Sequence, residues 1–374
     1  MLNGLVRLME DCDGSERPKG VAQRRRMWES MSPAQQRELS DMVGLARDGR
    51  ERLLSMYAHP YIHALRTESR IGTTLNPFFL ISLAGACGDD SMSKRVRFEA
   101  TSIFDLAQML VWVENRRGES RYTVGEDMAS LIDFFTGSLF EDKSRTSVRV
   151  FTYHDPADHF RVREVGVDKS LQGHPPNHVL EHLLSCRTFG GGRLVFLDHR
   201  PKGLFETALK MLKQFRAGKK AWHRISDRRG IKLIVPTVED VHTLMETLGT
   251  LMPVFNGRFI PGQSNITGNG TVRMSKSNSH SSPMFKAAKC ELWYRDRVFE
   301  VLIATFQDHF SSLYATDKVN HELYRLDQAL DIYLPRLCPA RVYGVDWKSE
   351  KVREPLLSQV CERLLWRFRH AGQS

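Results

Sequence analysis

Through the first 140 or so positions, apolar residues recur every three to four residues, a spacing that gathers them on one face of a helix. SPAQQRELSDMVGLARDGRERLLSMY opens with Ser32, whose hydroxyl suits an N-cap. SIFDLAQMLVWVENRR and GEDMASLIDFFTGSLF repeat the pattern between turn residues. Ahead of them, Arg17 to Arg26 (RPKGVAQRRR) reads as a basic, mobile arm.

From Ser147 the period shortens. SVRVFTYH and HFRVREVGV read as strands on either side of the turn DPAD, and NHVLEHLLSCRTF reads as a helix. Beyond Gly190-Gly191-Gly192, the strand RLVFL, a helix from Gly203 to Arg216, the strand GIKLIVP and the helix TVEDVHTLMETLGTLM alternate. Such alternation predicts a partly parallel sheet layered with helices. Asn256 to Pro283 is rich in Ser, Asn and Gly and predicts a loop. FKAAKCELWY and RVFEVLIAT predict a hairpin about RDR, followed by a helical region, QDHFSSLYATDKVNHELYRLDQALDIYL. The tail SEKVREPLLSQVCERLLWRFRH predicts a basic amphipathic helix. The expected fold class is α/β (α+β), an α/β sandwich with a partly parallel sheet. A helical region of residues 1–150, whose role is not indicated, precedes a mixed sheet flanked by helices over residues 151–338, and a basic helix follows over residues 339–374.

Composition adds limits. The chain has 374 residues, 41% hydrophobic and 26% charged, which suits a globular protein of two or three domains. The longest apolar stretch, Pro77 to Cys87, is too short to span a bilayer, so no membrane partner is expected. The start, MLNGLVRLMEDCDG, lacks the pattern of a signal peptide. The six cysteines are scattered with no C-x-x-C pair, which argues against disulfides or a thiolate zinc site and for a cytoplasmic location. A net charge of +10 biases the chain toward polyanions such as nucleotides or RNA.

The candidate chemistry lies at strand ends. Asp227 precedes GIKLIV, and Glu300 sits inside VFEVLI, where a carboxylate is costly unless it is paired or binds a metal. Two carboxylates on neighbouring strands with cations nearby can hold Mg²⁺ against a nucleotide. Arg200, Lys202 and Lys210 mark the junction of RLVFL with the next helix, where positive charge and the helix N-terminus suit phosphate. The plainer readings stand beside these: solvated loop charges for Arg200 and Lys202, a turn residue for Asp227, a structural salt bridge for Glu300, a core aromatic for Phe285. His174, His178 and His182 in HPPNHVLEH have a spacing that can bind zinc on a helix face, without a carboxylate or cysteine to complete the set.

The order of these parts resembles the synthetase domain of the RelA/SpoT family over roughly residues 165–335. RPKGLFETALKMLK looks like its Arg-x-Lys segment and following helix, with Lys210 at the second phosphate-binding lysine. ISDRRGIKLIVPTVEDVHTLMETL is similar to its aspartate strand and next helix, which places the metal-binding aspartate at Asp227. MFKAAKCELWYRDRVFEVLIAT resembles the substrate loop and glutamate strand, with Phe285 as the base-stacking aromatic and Glu300 as the second acid. TFQDHFSSLYATDKVNHELYR resembles the closing helix, with His309 and His321 near the expected histidines. The resemblance implies a nucleotidyltransferase-like sheet that transfers pyrophosphate from ATP to a ribose 3′-hydroxyl. Asp227 and Glu300 would hold Mg²⁺, and Glu300 would also orient or deprotonate the attacking hydroxyl. Arg200, Lys202, Lys210 and Lys232 would bind ATP, and Phe285, Lys289 and His309 the acceptor.

The departures bear on the acceptor. Phe285 stands for a tyrosine, Lys289 for a histidine and Lys232 for an arginine, while Leu302 and Ala304 replace the Gln and Arg that follow the glutamate. GDP or GTP would make the reaction alarmone synthesis, and the 3′ end of tRNA would make it toxin-like. A site without activity would leave a nucleotide or RNA sensor. The hydrolase half of long family members is not expected, because its His-Asp pair corresponds only to His154-Asp155 in a turn-like segment.

Overall fold

The computed structural model describes residues 18–66, 69–116, 120–199, 202–216, 218, 226–264 and 286–371. In chain order the principal elements are helices α1 (Pro18–Glu29), α2 (Pro33–Tyr57), α3 (Pro77–Ala86), α4 (Ser91–Glu114) and α5 (Arg121–Phe134). Strands β1 (Thr146–Asp155), β2 (Arg161–Val167), β3 (Val179–Phe189) and β4 (Arg193–His199) follow, then α6 (Leu204–Arg216) and β5 (Gly230–Val235). Next come α7 (Val238–Val254), β6 (Arg258–Ser264), β7 (Ala288–Tyr294), β8 (Arg297–Thr305), α8 (Phe306–Tyr314), α9 (His321–Gln328) and α10 (Glu350–His370). The class is α+β, as the patterning predicts. No described helix is long and apolar enough to cross a membrane.

Two compact units form, and they interleave along the chain instead of following the linear division at residues 150 and 338. The helical unit takes residues 1–121, 203–225 and 328–356. The sheet unit takes residues 122–202, 226–327 and 357–374.

In the helical unit, α2 starts where the sequence places its cap. Gln35 N donates to Ser32 Oγ at 3.3 Å and Ser32 N to Gln35 Oε1 at 2.9 Å, a reciprocal box that satisfies two otherwise unpaired amides. Leu39, Val43 and Leu54 of α2 and Phe98, Phe104 and Leu110 of α4 supply its buried apolar surface. The segment Arg17 to Arg26 is not an arm over its described part. It lies in helix α1, and Arg24 is fully buried against Asp105 of α4, its Nε donating at 2.8 Å. A run of arginines looks solvated in sequence, whereas the counter-charge that buries this one lies eighty-one residues away. A second buried knot joins Arg50, Glu99 and Tyr343. Arg50 Nη2 donates to Tyr343 Oη at 2.9 Å and Tyr343 Oη donates to Glu99 Oε1 at 2.7 Å.

The sheet unit is built on an eight-stranded sheet in the order β2-β1-β3-β4-β5-β8-β7-β6. β5 and β8 run parallel, and the remaining pairs are antiparallel. One face carries Val195, Leu233, Val301, Ile303, Cys290 and Leu292, packed with Val124, Met128 and Leu131 of α5 and Val241, Leu244 and Leu248 of α7. Thr237 caps α7 with a box closed by Asp240. Over β1 and β3 the opposite face is covered by α8, where Phe306 and Phe310 meet Val148, Val150 and Leu184.

Two elements correct the sequence reading. NHVLEHLLSCRTF is strand β3, not a helix. Leu180, Leu183 and Leu184 have helical spacing, but the chain pairs with β1 from Val179 to Cys186 and turns Leu180, Leu184 and Cys186 inward, which leaves Leu183 72% exposed. The helix-face zinc arrangement of His174, His178 and His182 therefore does not form. Residues 258–264, at the start of the expected loop, form the edge strand β6, whose Pro261 suits a position without a ladder partner on its outer side.

Replacing Arg24 by Ala should destabilise the helical unit by about 3–5 kcal/mol, because it strands the Asp105 carboxylate in a buried site. The double change Arg24→Met, Asp105→Leu should recover most of that loss. Urea denaturation of the three proteins checks both outcomes.

Candidate functional site

The face of β4, β5, β8 and β7 that points away from the α5–α7 core is apolar where Phe196 and Ile234 meet α8 and carries polar side chains beyond them. Asp198 pairs with Lys232, Lys232 with Leu302, and Leu302 with Lys289, so these four side chains form one row across four strands. One step earlier along β8, Glu300 pairs with Gly230 on one side and Glu291 on the other. The alternation follows from burial. Leu233, Val301, Ile303 and Cys290 take the core side, which leaves Lys232, Glu300, Leu302 and Lys289 on the other.

Helix α8 leaves β8 at once and delivers two more polar groups to this face. Thr305 caps it by accepting from Asp308 N at 3.1 Å while its hydroxyl donates to Asp308 Oδ2 at 2.6 Å. Burial pushes the Asp308 carboxyl above its usual range, against the opposing pull of Thr305, Lys286 and Lys232. Lys232 Nζ lies 2.9 Å from His309 Nδ1. An ammonium only donates, so Nδ1 is the bare acceptor and His309 carries its proton on Nε2. Desolvation lowers Lys232 to about 8, with Asp198 and Asp308 pulling upward. Desolvation, then Lys232 and His182, hold His309 far below the ordinary histidine value.

Glu300 is ion-paired with Lys289, Nζ to Oε2 at 2.8 Å. A carboxylate offers the hard oxygen donors that Mg²⁺ prefers, and here the Lys289 ammonium rests on it. Asp227 lies in the short turn Ser226–Arg229 that leads into β5. Its backbone thus enters the strand that pairs with β8, while its side chain lies outside the described residues. Among the described residues no group of three metal-ligating side chains occurs.

The remaining candidates divide as follows. Lys202 ends the sheet unit's first stretch and its N donates to Arg228 O at 3.4 Å, whereas Lys210 sits on α6 in the helical unit. Glu206 closes the start of α6 by accepting from Gly203 N at 2.8 Å. Arg200 and Phe285 lie outside the described residues. His321 begins α9 and stacks on Tyr324. Asp198 and Asp308, the carboxylates around Lys232, were not among the sequence candidates. Asp198 continues the alternation that puts Leu194 and Phe196 on the α8 side of β4, and Asp308 follows Thr305 at capping spacing, so both had a local signal.

Beside this face runs a second polar chain inside the sheet unit. His154 Nδ1 lies 3.0 Å from Phe160 O, a carbonyl that only accepts, so Nδ1 carries the proton. His154 Nε2 then accepts from Thr152 Oγ1 at 2.9 Å, and Thr152 Oγ1 accepts from His182 Nε2 at 3.0 Å. Every hydrogen-bond direction is fixed with both imidazoles neutral, and His182 stacks on Phe310 at 3.9 Å. His154 belongs to this packed chain at the end of β1. No protein-family model matches the chain, and no curated protein matches it.

Burial lowers His154 and His182 from the ordinary 6.5 to about 4. The unfolded chain therefore binds protons that the folded one refuses, and stability falls as pH drops from 6.5 toward 4. The slope is up to about 1.4 kcal/mol per pH unit for each histidine. Denaturation midpoints taken from pH 7 to pH 4.5 should show this decline, and His182→Gln should flatten it. A pH-independent midpoint would contradict the assignment.

Proposed function

We propose that the polar face of β5 and β8 binds the phosphates of ATP and that the protein transfers pyrophosphate to a ribose 3′-hydroxyl, with GDP or GTP as the leading acceptors. The observation that carries this reading is the parallel register of Gly230 with Glu300. It joins the strand entered from the Asp227 turn to the strand bearing Glu300, with Lys232 on the same face as Glu300. The succession of strand β4, helix α6, strand β5, helix α7 and hairpin β7–β8 supports it further, being the order in which the resembling segments occur.

In this reading Lys232 and Lys202 neutralise the triphosphate. Asp227 and Glu300 would hold Mg²⁺, which supplies charge neutralisation at the phosphates when bound. The 3′ oxygen attacks the β phosphorus, the bond from that phosphorus to the α–β bridging oxygen breaks, and AMP leaves. The hydroxyl proton passes to Glu300. Positioning and charge neutralisation account for most of the rate. Lys289 must leave Glu300 when Mg²⁺ and substrate arrive, and its ammonium is then free to meet acceptor phosphate.

One observation favours a second reading. Lys289 already neutralises Glu300, and Leu302 lies between Lys232 and Lys289 where a polar side chain would widen the hydrogen-bonding surface. A face so arranged suits a nucleotide-binding sensor that performs no chemistry.

Incubation with γ-labelled ATP and either GDP, GTP or bulk tRNA separates these readings. Label should appear in GDP or GTP, and Glu300→Gln should lower the rate by about 10²-fold or more. Label in tRNA alone would move the acceptor to RNA. ATP binding with no labelled acceptor would establish the sensor, and absence of ATP binding would end both readings.

A further inference from the structure

We infer that Asp127 is a positioning residue for this site, an assignment that rests on the transfer reading. Asp127 lies on α5, beneath the sheet. Its Oδ2 accepts from Arg229 Nε at 2.8 Å and pairs with Arg297 Nε at 3.4 Å. Arg229 ends the turn that holds Asp227, and Arg297 is the first residue of β8, three before Glu300. One carboxylate thus ties together the starts of the two strands whose acids the reaction needs.

The same helix face makes a third tie. Ser130, one turn beyond Asp127, accepts from Arg295 Nη1 at 2.8 Å. Arg295 and Asp296 form the two-residue turn between β7 and β8, with φ of 48° and 60°. Consecutive left-handed residues match the twist of a tight hairpin but cost energy without glycine, so an anchor on that turn is informative. The entry to β5, the start of β8 and the turn before it are all fastened to one stripe of α5.

These contacts occupy the face opposite Glu300, since Val124, Met128 and Leu131 of α5 pack with Val301 and Ile303 in the core. Asp127 therefore touches no reactant. It acts through register, because the relative position of the Asp227 turn and Glu300 follows from how the two strand starts are fastened. Mg²⁺ tolerates little departure from octahedral geometry, so a small slip between those starts weakens coordination more than it weakens the fold.

The test uses the full chain with Asp127→Asn and Asp127→Glu. It reads hydrogen exchange by segment and the Mg²⁺ concentration that half-activates label transfer to the wild-type acceptor. Asp127→Asn should raise that concentration about ten-fold or more, and Asp127→Glu should return it to within about three-fold. Exchange should quicken at residues 226–231 and 297–301 in Asp127→Asn while β1 to β3 stay protected. An unchanged Mg²⁺ midpoint with less folded protein, or exchange that quickens evenly through the sheet, would make Asp127 a structural residue only and overturn the inference. If the wild-type protein transfers no label, the transfer reading fails by itself. The exchange pattern then decides for or against Asp127, with local quickening supporting the tie and unchanged exchange refuting it.

Discussion

β5 and β8 lie side by side in the same direction, and the polar face depends on that pairing. A parallel neighbour cannot be reached by a tight turn, so the chain between them must make α7, β6 and β7 before β8 returns. The detour brings β7 to the far side of β8 and with it Lys289, whose ammonium settles on Glu300. It also lets β5 and β8 end together, so that α8 starts at the edge of the polar face and places His309 against Lys232. Had β5 and β8 been antiparallel, the strand ends that now adjoin would lie at opposite edges of the sheet.

Burial on the other side of the sheet enforces the register. A slip of one residue would send Val301 and Ile303 out of the α5–α7 core and bring Glu300 and Leu302 into it. Exposing two such apolar side chains costs several kcal/mol by the usual transfer values, about 1.5–3 for each. The row of Asp198, Lys232, Leu302 and Lys289 is thus held in place by residues on the other side of the sheet. The polar groups on the row carry their own costs, visible in the lowered Lys232 and the raised Asp308, and each meets a partner within hydrogen-bonding or charge range.

Much of this was legible in the sequence, for reasons that particular residues make plain. RLVFL, GIKLIV and RVFEVLIAT are apolar runs bounded by turn residues, and they are strands β4, β5 and β8. Ser32 signalled the start of α2 through capping chemistry that spans only three residues, whereas the Glu206 side chain that closes the start of α6 was not read as a cap. Readings failed where the deciding partner was distant. β3 carries leucines at helical spacing, and only its pairing with β1 makes it a strand. Arg24 sits in a basic run, and only Asp105 makes it a core residue. Glu300 was visible as an acid in an apolar strand, but its partner Lys289 depends on a hairpin turn of two residues, Arg295 and Asp296, instead of the three of RDR, because turn length sets the register. Lys232 was legible as a cation, whereas its contact with His309 was not, since the two meet across seventy-seven residues.

The central claim is that this polar face receives the phosphates of a nucleotide. Lysine footprinting measures it most directly, with the full chain treated with an amine-reactive reagent with and without Mg·ATP and the modified lysines located by mass spectrometry. The account predicts that Lys232 and Lys289 change reactivity on addition of Mg·ATP, Lys232 by protection and Lys289 because it is released from Glu300, while Lys318 and Lys348 stay constant. Unaltered labelling of both Lys232 and Lys289 at a nucleotide concentration that saturates binding would contradict it.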